Sequence, residues 1–457
     1  MTLRHLASSP AIQRDPFLRV FGPILNGPNI PQPWMAWTKM DRADIATRRS
    51  PGRILKRLAG QKIALSQAFY SAGSAVAVLG AAHQLSSSSF TRYSVLILSQ
   101  TTLVGAARAG IYYPSLVERR YREADRLPVI PILAGLTIGT GLQFAFALAY
   151  LGSIAGPSLV AGGTFLVLAY DALRHVQITA DRDTSLLSAD VARMAVLLLS
   201  FGPMLANKGG TVAFALVSAV SVIPGVLLVT GRRQSGARIV VNRSWLRQSA
   251  TQLAEFGVGQ TLVVFPILVI ATVAPSPGVG AFRLAQSLIG PMNLLFTAIN
   301  LRQLTERATW SSSDPREVLR SLRRAQFYSV RLTALAVALT VILLLAVPIV
   351  QGLAQAVDPS DLFRAFVANG LLAIGGAMAG PFIVALRALR RSGVVLVSRI
   401  GLVSCTFTVY VAVASSSDTY AALLCGAIAA GLLYPIWFLS PAALMSYRSR
   451  RLVSVAQ

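Results

Sequence analysis

Charge is scarce in this chain. Only 13% of its 457 residues are Asp, Glu, Lys or Arg, about half the share of an ordinary soluble domain (roughly 25%). Hydrophobic residues make up 54% and the mean hydropathy is +0.61. A soluble fold of this size cannot hide that much apolar surface, which excludes a soluble enzyme or a disordered chain. Acidic residues are scarcer still: 17, against 42 Lys and Arg, for a formal charge of +25. Such a surplus would suggest nucleic acid in a soluble protein, but no water-facing, aromatic-interleaved basic domain is left to hold it. The two cysteines, Cys405 and Cys425, lie inside apolar runs and read as small core residues, not a disulfide or metal site. His5, His83 and His175 are scattered, so no metal constellation is expected. The phosphate loop GxxxxGK[ST], HExxH and GxSxG are all missing, so neither an ATP-driven pump subunit on its own nor those hydrolases fit. No enzyme activity and no cofactor are expected.

What is present is a series of apolar blocks of about twenty residues, long enough to cross a hydrocarbon core of roughly 30 Å as helices. Twelve spans are expected, near 62–82, 90–113, 128–150, 155–174, 186–206, 210–230, 249–273, 278–300, 329–350, 364–386, 393–414 and 419–440. The fold class is an all-α polytopic membrane protein. Residues 1–60 differ in kind: seven prolines and many basic residues, with no apolar core leading to a small-residue cleavage site, so no signal peptide is read. They are expected to form a largely disordered cytoplasmic arm, unless translation begins at Met35 or Met40.

Loop charge orients the spans. The arm and the segments after spans 2, 4, 6, 8, 10 and 12 hold almost all the loop arginines, among them Arg119, Arg232, Arg320, Arg323, Arg324, Arg387 and Arg450. The alternate set is nearly bare: Arg92, Lys208 and Arg364, in or beside those loops, are its basic residues. This asymmetry places both termini in the cytoplasm. Between spans 8 and 9, Asp314-Pro315-Arg316-Glu317 offers an N-cap, a first-turn proline and a capping-box glutamate. A basic amphipathic helix on the inner leaflet and a solvated connector both fit.

The halves repeat. Leu116-Val117-Glu118-Arg119 after span 2 matches Leu304-Thr305-Glu306-Arg307 after span 8 at an offset of 188. Leu65 meets Leu253 and Gln67 meets Glu255 at the same offset. Six spans is an even number, so the halves share one orientation and an axis along the membrane normal, an arrangement known in transporters. The expected units are an arm (1–60), an N-terminal six-helix bundle (61–231), a cytoplasmic linker (232–248), a C-terminal bundle (249–440) and a tail (441–457).

A charge in the bilayer costs about 2.5–3.5 kcal/mol on insertion scales. Asp171 and Arg174, like Asp190 and Arg193, are three residues apart and are expected to neutralise one another locally. Arg108, Arg283, Arg399 and Glu255 have no opposite charge nearby in sequence. They either snorkel or pair across helices, or they line a cationic cavity between the halves, where guanidinium forks suit phosphate or diphosphate. Pro266, Gly290-Pro291, Gly375-Gly376 and Gly380-Pro381 could let helices bend.

Phe90-Thr91-Arg92-Tyr93-Ser94, Tyr170-Asp171-Ala172-Leu173-Arg174 and Phe282-Arg283-Leu284-Ala285-Gln286, set in this layout, resemble the multidrug/oligosaccharidyl-lipid/polysaccharide exporter superfamily. Within it, residues 60–440 look most like the bacterial polysaccharide (O-antigen-type) flippases. The resemblance implies a cytoplasmic-membrane transporter that flips a polyprenyl-diphosphate-linked oligosaccharide outward by alternating access. It implies that Arg108, Arg283 and Arg399 contact the diphosphate. Glu255 is the candidate for coupling to an H+ or Na+ gradient. A drug antiporter of the same superfamily and a major-facilitator-type transporter remain alternatives, as does a non-transporting scaffold. The usual Asp-Arg loop of the major facilitators is replaced here by Glu118-Arg119-Arg120-Tyr121-Arg122-Glu123.

Overall fold

The computed structural model describes residues 51–457 apart from 115–128, 180–182, 207–209, 231–242, positions 263, 265–266 and 269–276, 308–314, 389–390, 416–417 and 456–457. The chain divides into Met1–Arg57 and Leu58–Gln457. The first unit lies outside the described residues except where α1 begins, and so does the expected arm. The second unit holds the membrane helices.

Every described element is helical. They are α1 (Pro51–Gln84), α2 (Ser87–Ala107), α3 (Val129–Leu151), α4 (Ala155–Thr179), α5 (Asp183–Ala206), α6 (Thr211–Val220), α7 (Ile223–Thr230), α8 (Arg243–Gln260), α9 (Pro277–Arg307), α10 (Pro315–Leu345), α11 (Val347–Leu353), α12 (Pro359–Ala388), α13 (Ser392–Ala414) and α14 (Thr419–Val455). Eleven of the twelve expected spans fall on one of these, or on the pairs α6–α7 and α10–α11; the seventh, 249–273, has its first half on α8, and most of its second half lies outside the described residues. Nine among the described residues are long and apolar enough to cross a membrane. The chain is a multi-pass, all-α membrane protein. The exceptions are the helices of spans 5, 7 and 8 (α5, α8 and α9). They carry Asp190 and Arg193, Glu255, and Arg283, all of them buried. Their charge faces protein rather than lipid, which is how a membrane fold tolerates it.

Helix-on-helix packing follows the rule for lipid, where small residues let backbones approach because no hydrophobic drive separates helix from tail. α12 and α14 meet with Gly375 against the backbone carbonyl of Gly431. α10 lies on α12 through Ser329, whose hydroxyl donates to the Met378 carbonyl at 2.6 Å, and through Thr340 over Gly370. Gly152 ends α3 with φ +72°, the left-handed cap that glycine adopts without cost.

The main contacts fall into two sets. α3 packs on α4, α4 on α6 and α5 on α7; α12 packs on α9, α10 and α14, and α13 on α8 and α14. The sets meet where α2 and its C-terminal extension touch α8 and α9. Near the start of α2, Phe90 covers Gly280 of α9, 3.1 Å from where a Cβ would stand. Near its end, Phe256 of α8 fills the space beside Gly105, 2.5 Å from a Cβ position. Ser249 donates to the Gly110 carbonyl. Phe90 and Gly110 are separated by about 30 Å along the helix, so α2 is clamped at both ends of one membrane thickness. A backbone bond from Ala356 N–H to Ala82 O, 3.0 Å, closes the same seam where α1 ends.

One expectation changes. The segment after span 8 does not form a separate surface helix. From Pro315 it runs without a break into span 9, as the 31-residue α10. The LxER exit at 116–119 and Pro266 lie outside the described residues.

Candidate functional site: buried charge at the seam

The first group of charges lies where α2 ends. After Ala107 the helix widens into a π-turn, Arg108–Tyr112, closed by a Tyr113 N–H bond to the Arg108 carbonyl. Such turns are frequent at functional sites. Arg108 donates from Nε to both carboxylate oxygens of Asp171 on α4, at 3.0 and 3.2 Å. Its Nη2 makes a further short bond to the same group. His175 stacks on Tyr112 with centroids 4.4 Å apart, its Nδ1 2.9 Å from the Asp171 carbonyl.

Arg174 turns to the other carboxylate. Its Nη2 is 3.0 Å from Asp190 on α5, while Asp171 is 3.8 Å from its Nη1. Asp190 also accepts from Tyr170 Oη at 2.6 Å and from Ser66 on α1. Gly225 of α7 makes room: it lies against the Tyr170 ring, which would stand 2.6 Å from a Cβ. The expected local pair Asp190–Arg193 is not formed. Arg193 instead donates to the Tyr70 carbonyl at 2.7 Å and to Ser74, and the Tyr70 ring lies between the guanidinium groups of Arg174 and Arg193, each 4.2 Å away. A carboxylate that two cross-helix donors and an arginine already fill leaves Arg193 to a backbone oxygen.

The second group is in the other half. Glu255 of α8, fully buried, is gripped by Arg387 of α12, with Nε to Oε2 at 3.1 Å and a second short contact. Arg399 Nε of α13 is 3.0 Å from the same carboxylate, off the line of a good hydrogen bond. Gly259 leaves the space into which the Arg399 guanidinium packs. Tyr113, just after the π-turn, lies within electrostatic range of both groups: Arg108 and Asp171, and Arg387 and Glu255.

Arg283 is apart from both. It is 7% exposed and sits near the start of α9. Its Nη1 contacts Gln286, and it has no acidic partner among the described residues. Tyr93 of α2, fully buried, lies within electrostatic range of Arg283 and of Arg193. Arg283 Nε, Arg193 Nε and the Tyr93 hydroxyl all lack a hydrogen-bond partner among the described residues. The structure therefore does not gather Arg108, Arg283 and Arg399 on one spot. It places Arg108 on Asp171, Arg399 on Glu255 and Arg283 beside Tyr93. Arg193 and Arg387 join the picture although sequence spacing does not single them out. It matches Arg193 with an acid three residues away, and it counts Arg387 among the loop charges.

Among the described residues four arginines (108, 174, 387 and 399) face three buried carboxylates, and two buried arginines, 193 and 283, have no carboxylate partner. Each carboxylate is taken. Among the described residues these arginines outnumber the buried carboxylates, and Arg193 Nε, Arg283 Nε and the Tyr93 hydroxyl have no hydrogen-bond partner there. No group of His, Cys, Asp and Glu suited to a metal occurs among the described residues.

This architecture is that of solved membrane transporters. The inward-facing conformation of a multidrug resistance MATE family transporter of the MOP superfamily is 13% identical, covers 85% of this chain and 99% of its own, and gives a TM-score of 0.61. The outward-facing conformation of a multidrug resistance MATE family transporter of the MOP superfamily gives 12%, 90%, 100% and 0.59. A MATE structure in the bent conformation gives 12%, 90%, 100% and 0.56. No protein-family model matches the sequence, and no curated protein matches it. At these identities the likeness defines the fold.

Proposed function

We propose that the chain is a transporter, not an enzyme, that moves a lipid-linked sugar diphosphate across the bacterial cytoplasmic membrane by alternating access. The observation that carries this reading is Arg283: a buried guanidinium with no counter-charge among the described residues, within electrostatic range of Tyr93, a seam residue whose hydroxyl has no partner there either. A charge left unpaired in a membrane interior is costly, and a visiting anion would offset that cost. Diphosphate oxygens match the guanidinium fork.

In this reading both termini are cytoplasmic and the two halves are six-helix bundles. The headgroup enters at the arginine-rich ends of α2 and α8, where Arg108 and Arg399 are drawn from their carboxylates to the diphosphate. It then passes Arg193 and Arg283 while the polyprenyl tail stays in lipid. Losing Arg399 to substrate leaves Glu255 with Arg387 alone, which makes Glu255 the candidate to couple occupancy to the H+ or Na+ gradient that resets the cycle.

The alternative is a drug antiporter, favoured by the names of the structural neighbours. It has a specific difficulty: Asp171, Asp190 and Glu255 already face arginines, so no buried carboxylate among the described residues is free for an organic cation. Proteoliposomes separate the two. Flipping of a lipid-linked sugar diphosphate should fall at least tenfold in Arg283→Gln and less in Arg283→Lys. Undiminished flipping in an Arg193→Gln, Arg283→Gln double variant overturns the reading. Efflux of an organic cation, with no flipping, supports the antiporter.

A further inference from the structure

α10 is longer than a membrane is thick. Its 31 residues extend about 46 Å at 1.5 Å per residue, against a hydrocarbon core of roughly 30 Å. The excess is at its start. One stripe of the helix is buried: Ser321, Leu322, Ala325, Ser329, Leu332 and Ala336, the side that packs on α12. Another side is exposed and carries Arg320, Arg323, Arg324, Phe327, Tyr328 and Arg331. Glu317 is the one acid in the helix.

The order along that side is the order of a leaflet. Val330, Val337, Val341, Ile342 and Leu345 are exposed and apolar, as lipid contact requires. Phe327 and Tyr328, also exposed, stand one turn earlier, where aromatic belts sit at headgroup depth. Arg331 folds back over the Phe327 ring, 4.1 Å from its centroid, which holds its guanidinium at that level rather than in the tails. Arg320, Arg323 and Arg324 continue one to two turns outward.

We infer that this stripe is a binding surface for the anionic phospholipid headgroups of the adjoining leaflet. Arg331 and Arg324 bracket the phosphate level, and Arg320 and Arg323 add attraction from the water side. The surface commits to a lipid because its charge is continuous with an apolar, lipid-facing side of the same helix. A soluble phosphate would have no use for Phe327, Tyr328 and Val330. The consequence reaches the interior. Lipid held on α10 fixes the height of α12 through Ser329–Met378, and α12 carries the arginine that grips Glu255.

The test uses the full chain in nanodiscs of phosphatidylcholine with phosphatidylglycerol, and native mass spectrometry of the lipids retained. Wild type should keep phosphatidylglycerol in preference to phosphatidylcholine. An Arg320→Gln, Arg323→Gln, Arg324→Gln variant should lose about tenfold or more of that preference, as expected for several arginines near a charged surface. The corresponding triple lysine variant should keep most of it. A glutamine variant that retains phosphatidylglycerol like wild type overturns the proposal. Should that variant fail to fold, a salt titration of the wild-type chain decides. Preference that fades with ionic strength supports the surface, and preference indifferent to salt overturns it.

Discussion

Arg108 and Asp171, 63 positions apart in sequence, are joined Nε to Oδ2 at 3.0 Å and Nε to Oδ1 at 3.2 Å, tying α2 to α4. Asp171 is fully buried and the Arg108 side chain is 13% exposed. Breaking such a pair by removing one partner leaves a buried charge unbalanced, at a cost of about 3–5 kcal/mol. Asp171→Asn should therefore lower thermal stability in detergent sharply. The double variant Arg108→Gln, Asp171→Asn should recover part of the loss, because no lone charge remains. A double variant no better than the single would show that the pairing is not what Asp171 contributes.

Glu255 should behave differently, because it serves two arginines. Glu255→Gln strands both Arg387 and Arg399 and should cost about 3–5 kcal/mol. Arg399→Gln should cost less, since Arg387 still grips the carboxylate. The two effects should not add when combined, as those of residues in direct contact rarely do. Thermal unfolding of the three variants checks this. Equal losses for Glu255→Gln and Arg399→Gln would contradict the geometry.

Gly375 and Gly376 make a matched pair. A Cβ on Gly375 would collide with the Gly431 carbonyl, a backbone atom of α14 that cannot rotate away. Gly376, one residue on, has nothing within 4 Å of its Cβ position. Gly375→Ala should force α12 from α14 and cost about 1–3 kcal/mol. Gly376→Ala should be neutral or stabilise by up to about 1 kcal/mol through helix propensity. Midpoints of thermal unfolding for the two alanine variants should fall on opposite sides of, or one well below, the wild-type value.

Asp358 caps α12 from outside the membrane. Its Oδ1 accepts from the Ser360 hydroxyl at 2.6 Å and from the backbone N–H groups of Ser360 and Asp361 at 2.8 and 3.3 Å, ahead of Pro359 at the first helical position. The Ser360 hydroxyl first, and then those two N–H groups, hold its carboxyl below the usual carboxylate range. A depressed folded value means that the capping contribution is present above the unfolded value, near 4. It is lost as pH falls through the folded one. Asp358→Ala should loosen the first turn of α12 at pH 7, read as faster amide exchange at residues 360–363, and the gap from wild type should close as pH falls through the depressed folded value.

Much of this architecture is legible in the amino-acid order, and the reason is physical. A lipid-facing helix must be apolar over about twenty residues, so nine of the expected spans coincide with described helices long and apolar enough to cross a membrane. Gln67 and Glu255, matched at an offset of 188, are both buried, while Leu65 and Leu253 beside them are both exposed. Partners are another matter. Sequence spacing puts Arg193 opposite Asp190, yet Asp190 is filled by Tyr170, Ser66 and Arg174. Arg387 is 132 residues from Glu255, and nothing local marks it as different from its basic neighbours. Charge in an apolar run announces a buried polar contact; only the packing says with whom. Once the packing is known, the halves correspond again. The first of their helices is tied to the fourth and fifth in each: α1 with α4 and α5 around Asp190, α8 with α12 and α13 around Glu255.

If the halves must part for transport, the contact where α2 meets α8 has to open in each cycle. A Cβ on Gly110 would stand 3.9 Å from the Leu253 Cβ, inside the 3.5–4.5 Å range that a disulfide requires. Cys405 is exposed and Cys425 half-buried, so both are first replaced by alanine. In that background Gly110→Cys with Leu253→Cys should cross-link under mild oxidation, visible as protection of both thiols from a maleimide. The bridged protein should stop transporting, and dithiothreitol should restore it. Ser249 already donates to the Gly110 carbonyl, so the bridge adds a covalent lock to a contact the chain makes unaided. Full transport by a fully bridged protein would mean that this end of the seam stays shut throughout, and the route past Arg108 and Arg399 would have to be abandoned.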